Sequence, residues 1–520
     1  MLQKGVFSFL ILVLNLHLLV AQINVQWGAE NKQEEKGIFS DLYINSQGTQ
    51  FSIIQHKSKL YVKKHDEKGN YVQTLEFDYK TQIQKVSKLK TYFNQFFFVN
   101  DKVCIVTFEK DSKQEKFIWR ITPINTLTMQ LEESKQIHEM SFLGGSMLEG
   151  AKISISPNHS KIVLGFNTKG KNLDDINYLV KILDVEFNTL WQRKIAGVGR
   201  SFFKTIDVAG ALTITDNEVV CLFQKQASEG IKSEKVKFYN RFNVFTFSKE
   251  AQVLTEIEVP VDNIIDVKFK TTDKNEVIVG GFYSKNPEVM VGTFLFKYFP
   301  NTAEFSEIKV HVFDDKTIEP LLSQKENKQM GKIESKGLDY HLPHYRLDAI
   351  TETPAGDIKI IAERYYIWQS TTFDFRGNMR TITYYVHGNI LLLSYNSDFK
   401  FNWSAPILKF QETTDGGYWN SYAHAFFGEN VVVVFTDNPE NLIKIDDKKQ
   451  DVVKNAHGKR GVFVGIHVSK EGKIKKYPLY EVRDVALFTL CTKSAKTNKE
   501  LVLRAEKGYV SKLVSFSLRE

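Results

Sequence analysis

Cysteine is nearly missing from this chain: three residues in 520. Cys104, Cys221 and Cys491 each sit inside an apolar, strand-like run (VCIVTF, VVCLF, LFTLCT). An odd number at wide spacing excludes a disulfide framework and predicts buried thiols. Proline is also sparse, at 11 residues, and a quarter of the chain is charged, which argues against a disordered polymer. A strong excess of one charge is absent too. The formal net charge of +8 is small over this length, so composition does not call for nucleic acid. No long 3.6-residue apolar stripe competes for a helical reading. No GxSxG, SxxK, P-loop, GxGxxG or HExxH motif stands in a suitable context. Asp174-Asp175 and Asp446-Asp447 lack the alternating oxygen ligands and glycine of a calcium loop and read as solvated charges. No cofactor is expected.

What is present begins with a leader. One positive charge in residues 1–4 precedes an almost wholly apolar stretch over 6–20, broken by Ser8, Asn15 and His17. Ala21 then offers a small residue for cleavage. Residues 1–21 therefore read as a secretory signal peptide, too short for a comfortable membrane span. Leu19 is large for its place before the cut and leaves the exact site open; an uncleaved anchor is the alternative. No second long apolar stretch follows, so the mature chain is expected to carry no membrane span, and the protein to be secreted, periplasmic or at the cell surface. Export argues further against a nucleic-acid partner. No cysteine stands directly after the leader, which argues against a bacterial lipid anchor, and export without disulfides suits a bacterium.

The rest is rich in residues that suit pleated, half-buried surfaces, with 39 Phe and 21 Tyr. Residues 264–310 read as four short strands joined by turns, and much of the chain varies on that unit. A polar turn with Asn, Asp or Gly leads into a hydrophobic second strand eight times, as QFSIIQH, VCIVTF, KIVLGF, EVVCLF, EVIVGGF, IKIIAE, VVVVF and KELVL. These residues tolerate hairpin turn geometry. A second recurrent turn joins strands c and d, and the last unit stops at strand c. Seven complete units and one three-stranded unit form the signature of a β-propeller, whose blades bury their faces by stacking radially. Residues 23–28 (INVQWG) form a strand-like run with no partner in the first unit. They are expected to supply the missing strand and close the ring, protecting its edges. The predicted fold is all-β: a single eight-bladed propeller over 22–520, with blades near 38–79, 91–137, 150–196, 203–260, 264–313, 345–410, 420–481 and 485–518 plus strand 23–28. A seven-bladed ring is the alternative.

The segment SPNHSKIVLGF at 156–166 resembles the Ser-Pro-Asp-Gly hairpin of WD40-like and TolB-like propellers, with Asn158 and His159 in place of Asp-Gly. It supports the propeller superfamily and no named family. Gly280-Gly281 is similar to the double glycine of kelch blades, but it occurs in one blade without that motif's spaced Tyr and Trp.

Strand direction alternates within a blade, so a–b and c–d turns share one face and b–c and d–a loops the other. Nearly every long insertion falls in the second class: 167–177, 224–237, 368–383 and 437–459 between b and c, and 138–150, 314–345 and 411–420 between d and a. Loops on a rigid scaffold carry binding and catalysis, so this face is expected to be functional. Its densest patch lies in blade 6 and the start of blade 7. Tyr365, Tyr366, Trp368, Arg376, Arg380, Asp415, Tyr418, Trp419 and His424 are the candidate ligand-binding residues. Aromatics interleaved with Arg, Asp and His suit stacking on sugars, peptides or bases; the plainer explanation is a long hairpin held by its own aromatics. His341 and His344 are weak metal candidates without a third ligand. Residues 413–419 (TTDGGYW) resemble a sialidase Asp-box with one residue missing and misplaced in the blade, and read as a turn. A basic segment at 444–476 would favour anionic partners. Residues 314–337 are the one place where a short helix is plausible.

The expected function is an exported binding or interaction module for a glycan, peptide or protein, acting as a monomer. The alternatives are a polysaccharide hydrolase or lyase at the channel mouth and a structural subunit of a cell-envelope assembly. An enzyme predicts converging ionisable groups of perturbed proton affinity; a binding module predicts an open aromatic shelf; a structural subunit predicts a large flat apolar patch.

Overall fold

In the computed structural model, eight antiparallel sheets of four strand positions follow one another along the chain. The structure describes residues 23–32, 37–141, 151–169, 176–195, 212–224, 240–284, 290–322, 345–373, 377, 379–442 and 460–519. The leader, Arg376, His341, His344, Asp174-Asp175 and Asp446-Asp447 lie outside the described residues. Each sheet is a blade whose strands a to d are consecutive in sequence, so every blade is a meander of hairpins. The eighth is the exception that closes the circle. Its strands are Phe488–Lys496, Leu501–Lys507 and Val510–Leu518, and its outermost strand is Ile23–Trp27, paired antiparallel with Val510–Leu518 from Ile23↔Leu518 to Trp27↔Val514. Asn31–Lys32 continues the same edge. The molecule is an eight-bladed β-propeller, and the seven-bladed alternative is set aside.

The hydrophobic cores show why blades need each other. There are eight clusters among the described residues, and each lies between two successive blades. Phe51, Val62, Val103 and Ile124 join blades 1 and 2. Phe282, Ile350 and Leu393 join blades 5 and 6, and Ile361, Val433 and Ile466 join blades 6 and 7. Phe39, Leu42, Leu490 and Val502 join blade 8 back to blade 1. Ring closure therefore rests on packing as well as on the shared sheet. The three cysteines are buried free thiols within this packing. Burial pushes the Cys491 thiol up to about 12, so it is inert as a nucleophile.

The two faces of the ring are built differently. On the face of the a–b turns, polar side chains link successive blades. Asp101 accepts from the amide and hydroxyl of Ser46, Asp216 accepts from the amide of Asn158, Asn275 accepts from the amide of Asp216, and Glu429 accepts from the amide of Ala355. On the opposite face, the inner strands of blades 1, 2, 5 and 6 carry a β-bulge near their start, as between Phe93 and Gln95, Ile264 and Asp266, and Leu347 and Ala349. A bulge re-aims a side chain. Here Gln95 donates to the carbonyl of Ala151 in blade 3. Asp266 accepts from the amide of Leu347 in blade 6 (2.7 Å), and Asp348 from the hydroxyl of Tyr422 in blade 7 (2.7 Å). The connections longest in sequence all leave from this second face.

Candidate functional site

Blade 6 departs from its neighbours through length. Its second and third strands are Ile358–Phe373 and Met379–Tyr395, where blade 5 has Val277–Ser284 and Gly292–Phe299. The first six residues of Ile358–Phe373 are buried and most of the rest are exposed. The change falls at a bulge between Glu363 and Tyr365, where Arg364 packs over Gly388. Beyond it the two strands pair to Phe373↔Met379, so the hairpin stands out from the ring by about 25 Å at the usual strand rise. Its composition, YYIWQSTTF opposite MRTITYYVH, is β-branched and aromatic, which lets a strand pair persist where no blade covers it.

Alternation sorts the predicted residues onto two sides. Tyr366, Trp368 and Arg380 share one side with Tyr384. Trp368 stacks on Tyr384 at 4.0 Å with 5° between planes, and its indole N–H donates to Glu412 (3.0 Å). Tyr366 and Trp368 remain 40% exposed. Tyr365 lies on the other side, with the His387 ring 4.8 Å away and the Arg346 guanidinium 5.0 Å above its face. Asp415 forms a turn by accepting from the Gly417 amide. That turn contains Gly416 and Gly417, both in the left-handed region, so residues 413–419 form a turn at the end of a strand. Tyr418 and Trp419 point elsewhere. They pack edge to face at 4.9 Å against the core between blades 8 and 1, Trp419 lies 5.4 Å from Phe488, and burial with Glu506 nearby pushes the Tyr418 phenol up to about 12. His424 sits on the inner strand of blade 7, its Nε2 3.3 Å from the Lys496 ammonium.

Behind Tyr365 the structure assembles a buried ionic cluster from six segments. Glu363 is fully buried. One carboxylate oxygen accepts from Lys409 Nζ (2.7 Å); the other accepts from His387 Nδ1 (2.8 Å), Ser421 Oγ (3.0 Å) and Arg346 (3.3 Å). Lys409 is equally buried and also donates to the His387 carbonyl and to Gln411 Oε1, both at 3.2 Å. Gln411 in turn accepts from the Ser421 amide and donates to the Thr436 carbonyl. Arg346 pairs with Asp348 at 2.8 Å. Gly417 closes the cluster: a Cβ there would lie 3.2 Å from His387 Nε2.

The electrostatics of the cluster diverge within a few ångströms. Burial alone would raise Glu363. The Lys409 charge and the His387 hydrogen bond outweigh it and hold the carboxylate at about 2. Burial does raise Asp348; Arg346 offsets it only in part, and the Glu363 charge adds to it. Tyr422 lies well above the usual phenol range through burial and the charges of Asp348 and Glu363. Glu363 is thus an anion at neutral pH with both carboxylate oxygens engaged, and Asp348 and Tyr422 form the proton-retaining pair. The candidate residues read from the sequence passed over Arg346, Asp348, Glu363 and Lys409. The available signal was a Glu inside the apolar run IKIIAE, where an exposed face was not expected. Among the described residues, no three His, Cys, Asp or Glu side chains are grouped to hold a metal ion. Among them also, no helix is long and apolar enough to cross a membrane.

No family model matches the chain, and no curated protein matches it. Solved structures of similar shape are β-propellers at low identity. The Dos1 propeller is 7% identical, covering 94% of this chain and 95% of its own, with a TM-score of 0.44. The polysaccharide lyase Uly1 is 12% identical, covering 95% and 99%, with a TM-score of 0.39. The β-propeller domain of the Trilobed protease from Pyrococcus furiosus is 9% identical, covering 74% and 96%, with a TM-score of 0.33.

Proposed function

We propose that the chain is an exported binding propeller that holds an extended ligand, a glycan, peptide or protein, along the blade 6 hairpin. One observation carries this reading. The charged groups at the hairpin's base neutralise and hydrogen-bond one another, while the Trp368–Tyr384 stack stands rigid and 40% exposed at the Trp above them. A fixed flat ring loses little entropy when a ligand stacks on it; Glu412 beside the stack, and Arg380 four positions further out on the same side, would supply polar contacts to an extended ligand. The test is a glycan and peptide array probed with the mature chain beside a Trp368→Ala/Tyr384→Ala variant. Binding should fall at least tenfold with the unfolding midpoint nearly unchanged. Full binding by the folded variant would overturn the reading. Trp419 is left intact because it packs in the ring.

The second reading is a polysaccharide hydrolase or lyase. It rests on Asp348 and Tyr422, whose proton affinities are raised at the mouth of the channel beside Arg346. Asp348→Asn should then abolish turnover in a polysaccharide screen and leave binding intact.

A further inference from the structure

The third strand of blade 6 has an outer edge that its own sheet covers only in part. In blades 1, 4 and 7 the fourth strand runs the length of the third: Tyr71–Asp78 along Lys59–His65, Gln252–Glu258 along Arg241–Phe247, and Ile474–Glu481 along Val462–Val468. In blade 6 the third strand is Met379–Tyr395. Phe401–Ile407 covers residues 390–395 of it, and Gln411–Thr413 covers residues 385–387. Past Thr413 the chain enters the turn at 415–417. Among the described residues, no strand pairs with the outer edge of residues 379–384.

This edge is one that a strand can extend. In a paired strand, alternate residues turn their N–H and C=O groups away from the partner and present a row of donors and acceptors. The pairing behind the edge runs from Tyr365↔His387 to Phe373↔Met379 without a bulge. Residues 379–384, MRTITY, contain no lysine or proline, residues that commonly blunt an edge. Gln411–Thr413 already lies on the same edge, antiparallel, so an added strand would continue its line. Side chains define the kind of strand. Alternation puts Arg380, Ile382 and Tyr384 on the side of Trp368, and Met379, Thr381 and Thr383 on the other. Arg380 is exposed and, among the described residues, has no ion-pair partner. The edge itself bears no carboxylate, so pairing with the same edge of a second copy would leave Arg380 unmatched. An acidic side chain directly opposite it on a different strand would match it.

We propose that residues 379–384 receive an extended, acid-bearing peptide segment of another protein as an added β-strand, with a carboxylate opposite Arg380 and an apolar side chain opposite Ile382. The proposal rests on the hairpin reading above and narrows its ligand to a polypeptide held through its backbone; a glycan has no ladder of amides to offer this edge. The experiment selects short linear peptides from a random library on the mature chain. Each selected peptide is then remade with N-methyl groups at alternate residues, in both phases. Only the amides of one phase face the edge, so one methylated form should bind at least tenfold more weakly and the other nearly as well as the parent. Selected sequences should carry an acid and an apolar residue two positions apart. Arg380→Glu should exchange that preference for a basic residue. Amide hydrogen exchange at alternate residues of 379–384 should be fast in the free chain and slow at least tenfold with peptide bound.

The proposal fails if no peptide is selected, if both methylated forms bind equally, or if exchange over 379–384 does not respond to peptide. It fails equally if that edge is already protected in the free chain; sedimentation then shows whether a second copy or the chain's own remainder covers it. The two readings of the hairpin fail separately. Glycan binding lost in the Trp368→Ala/Tyr384→Ala variant, with no peptide selected, keeps the aromatic shelf and removes the added strand. Peptide binding that protects the edge in that variant at full affinity keeps the strand and removes the shelf.

Discussion

Blades 5 and 6 are neighbours built from the same repeat, and they part at a single register position. In blade 5 the second strand, Val277–Ser284, is buried from end to end. It admits no charge and carries two glycines, because the neighbouring backbone and Phe294 leave no room for a Cβ at Gly281. In blade 6 the equivalent strand is buried only to Glu363. There the cover of blade 7 ends, a carboxylate and an ammonium are enclosed, and the chain continues as an exposed hairpin. A propeller blade is thus stabilised by its neighbour only as far as that neighbour reaches. Past that limit a sequence must supply its own partners, and the ionic cluster is the base on which this hairpin stands.

The largest effect that could break the comparison is at that base. Glu363→Ala leaves Lys409 buried without its anion, which should cost about 3–5 kcal/mol in chemical denaturation. Replacing both, Glu363→Gln with Lys409→Met, should recover much of it. If the single variant costs no more than an ordinary surface change, the cluster is not the base of the hairpin. In blade 5 the corresponding change is steric. Gly281→Ala forces a methyl against the Asp266 carbonyl and the Phe294 ring, for a cost of about 1–3 kcal/mol. Because Asp266 also holds the Leu347 amide, hydrogen exchange should rise at the start of blade 6 as well.

Acid sharpens the contrast. The Glu363 carboxylate is depressed to about 2 from 4.5, so the stability it contributes is present above pH 4.5 and is lost as pH falls toward 2. Asp348 acts in the opposite sense: raised above 3.8, it takes up a proton more readily folded than unfolded, and costs stability as pH rises past that value. His65, buried and hydrogen-bonded to Ser52, is lowered from 6.5 to about 4, chiefly by burial, and its contribution is lost between those values on acidification. Unfolding midpoints from pH 7 to 2 should therefore fall in two stages. His65→Gln should reduce the upper stage, which His138 shares because burial lowers it likewise to about 4, and Glu363→Gln should flatten the lower. Blade 5 variants should leave both slopes alone. The smallest expected effect is at the exposed end: Trp368→Ala should cost about 1 kcal/mol or less, the worth of an aromatic pair, while removing binding.

How much was legible follows the same line. The turns were readable because hairpin geometry demands particular residues at the turn itself, so Asn45, Asn275 and Gly356 announce themselves locally. The closing role of Ile23–Trp27 was readable because a unit of three strands leaves an edge that must be covered. The aromatic hairpin was readable as composition, but its two sides were not. The bulge at Arg364 resets which residues face together, and bulges have no firm sequence signature. Trp368 and Trp419, grouped in one sequence patch, serve different parts of the molecule: one lies on the hairpin and the other packs against the core between blades 8 and 1.

The sequence by itself determined the repeat and the strand expected to close it, because each depends on chemistry within a few residues or on a simple count of edges; eight blades rather than seven was decided by the structure. Only the tertiary structure decided which charges meet. Glu363, Lys409 and Arg346 lie as far as 63 residues apart in the chain; the sheet of blade 6 brings them together, with Arg346 opposite Glu363, and Ser421 at the start of blade 7 completes the cluster. The energy of such a group depends on burial and partners, quantities that no local stretch of sequence carries.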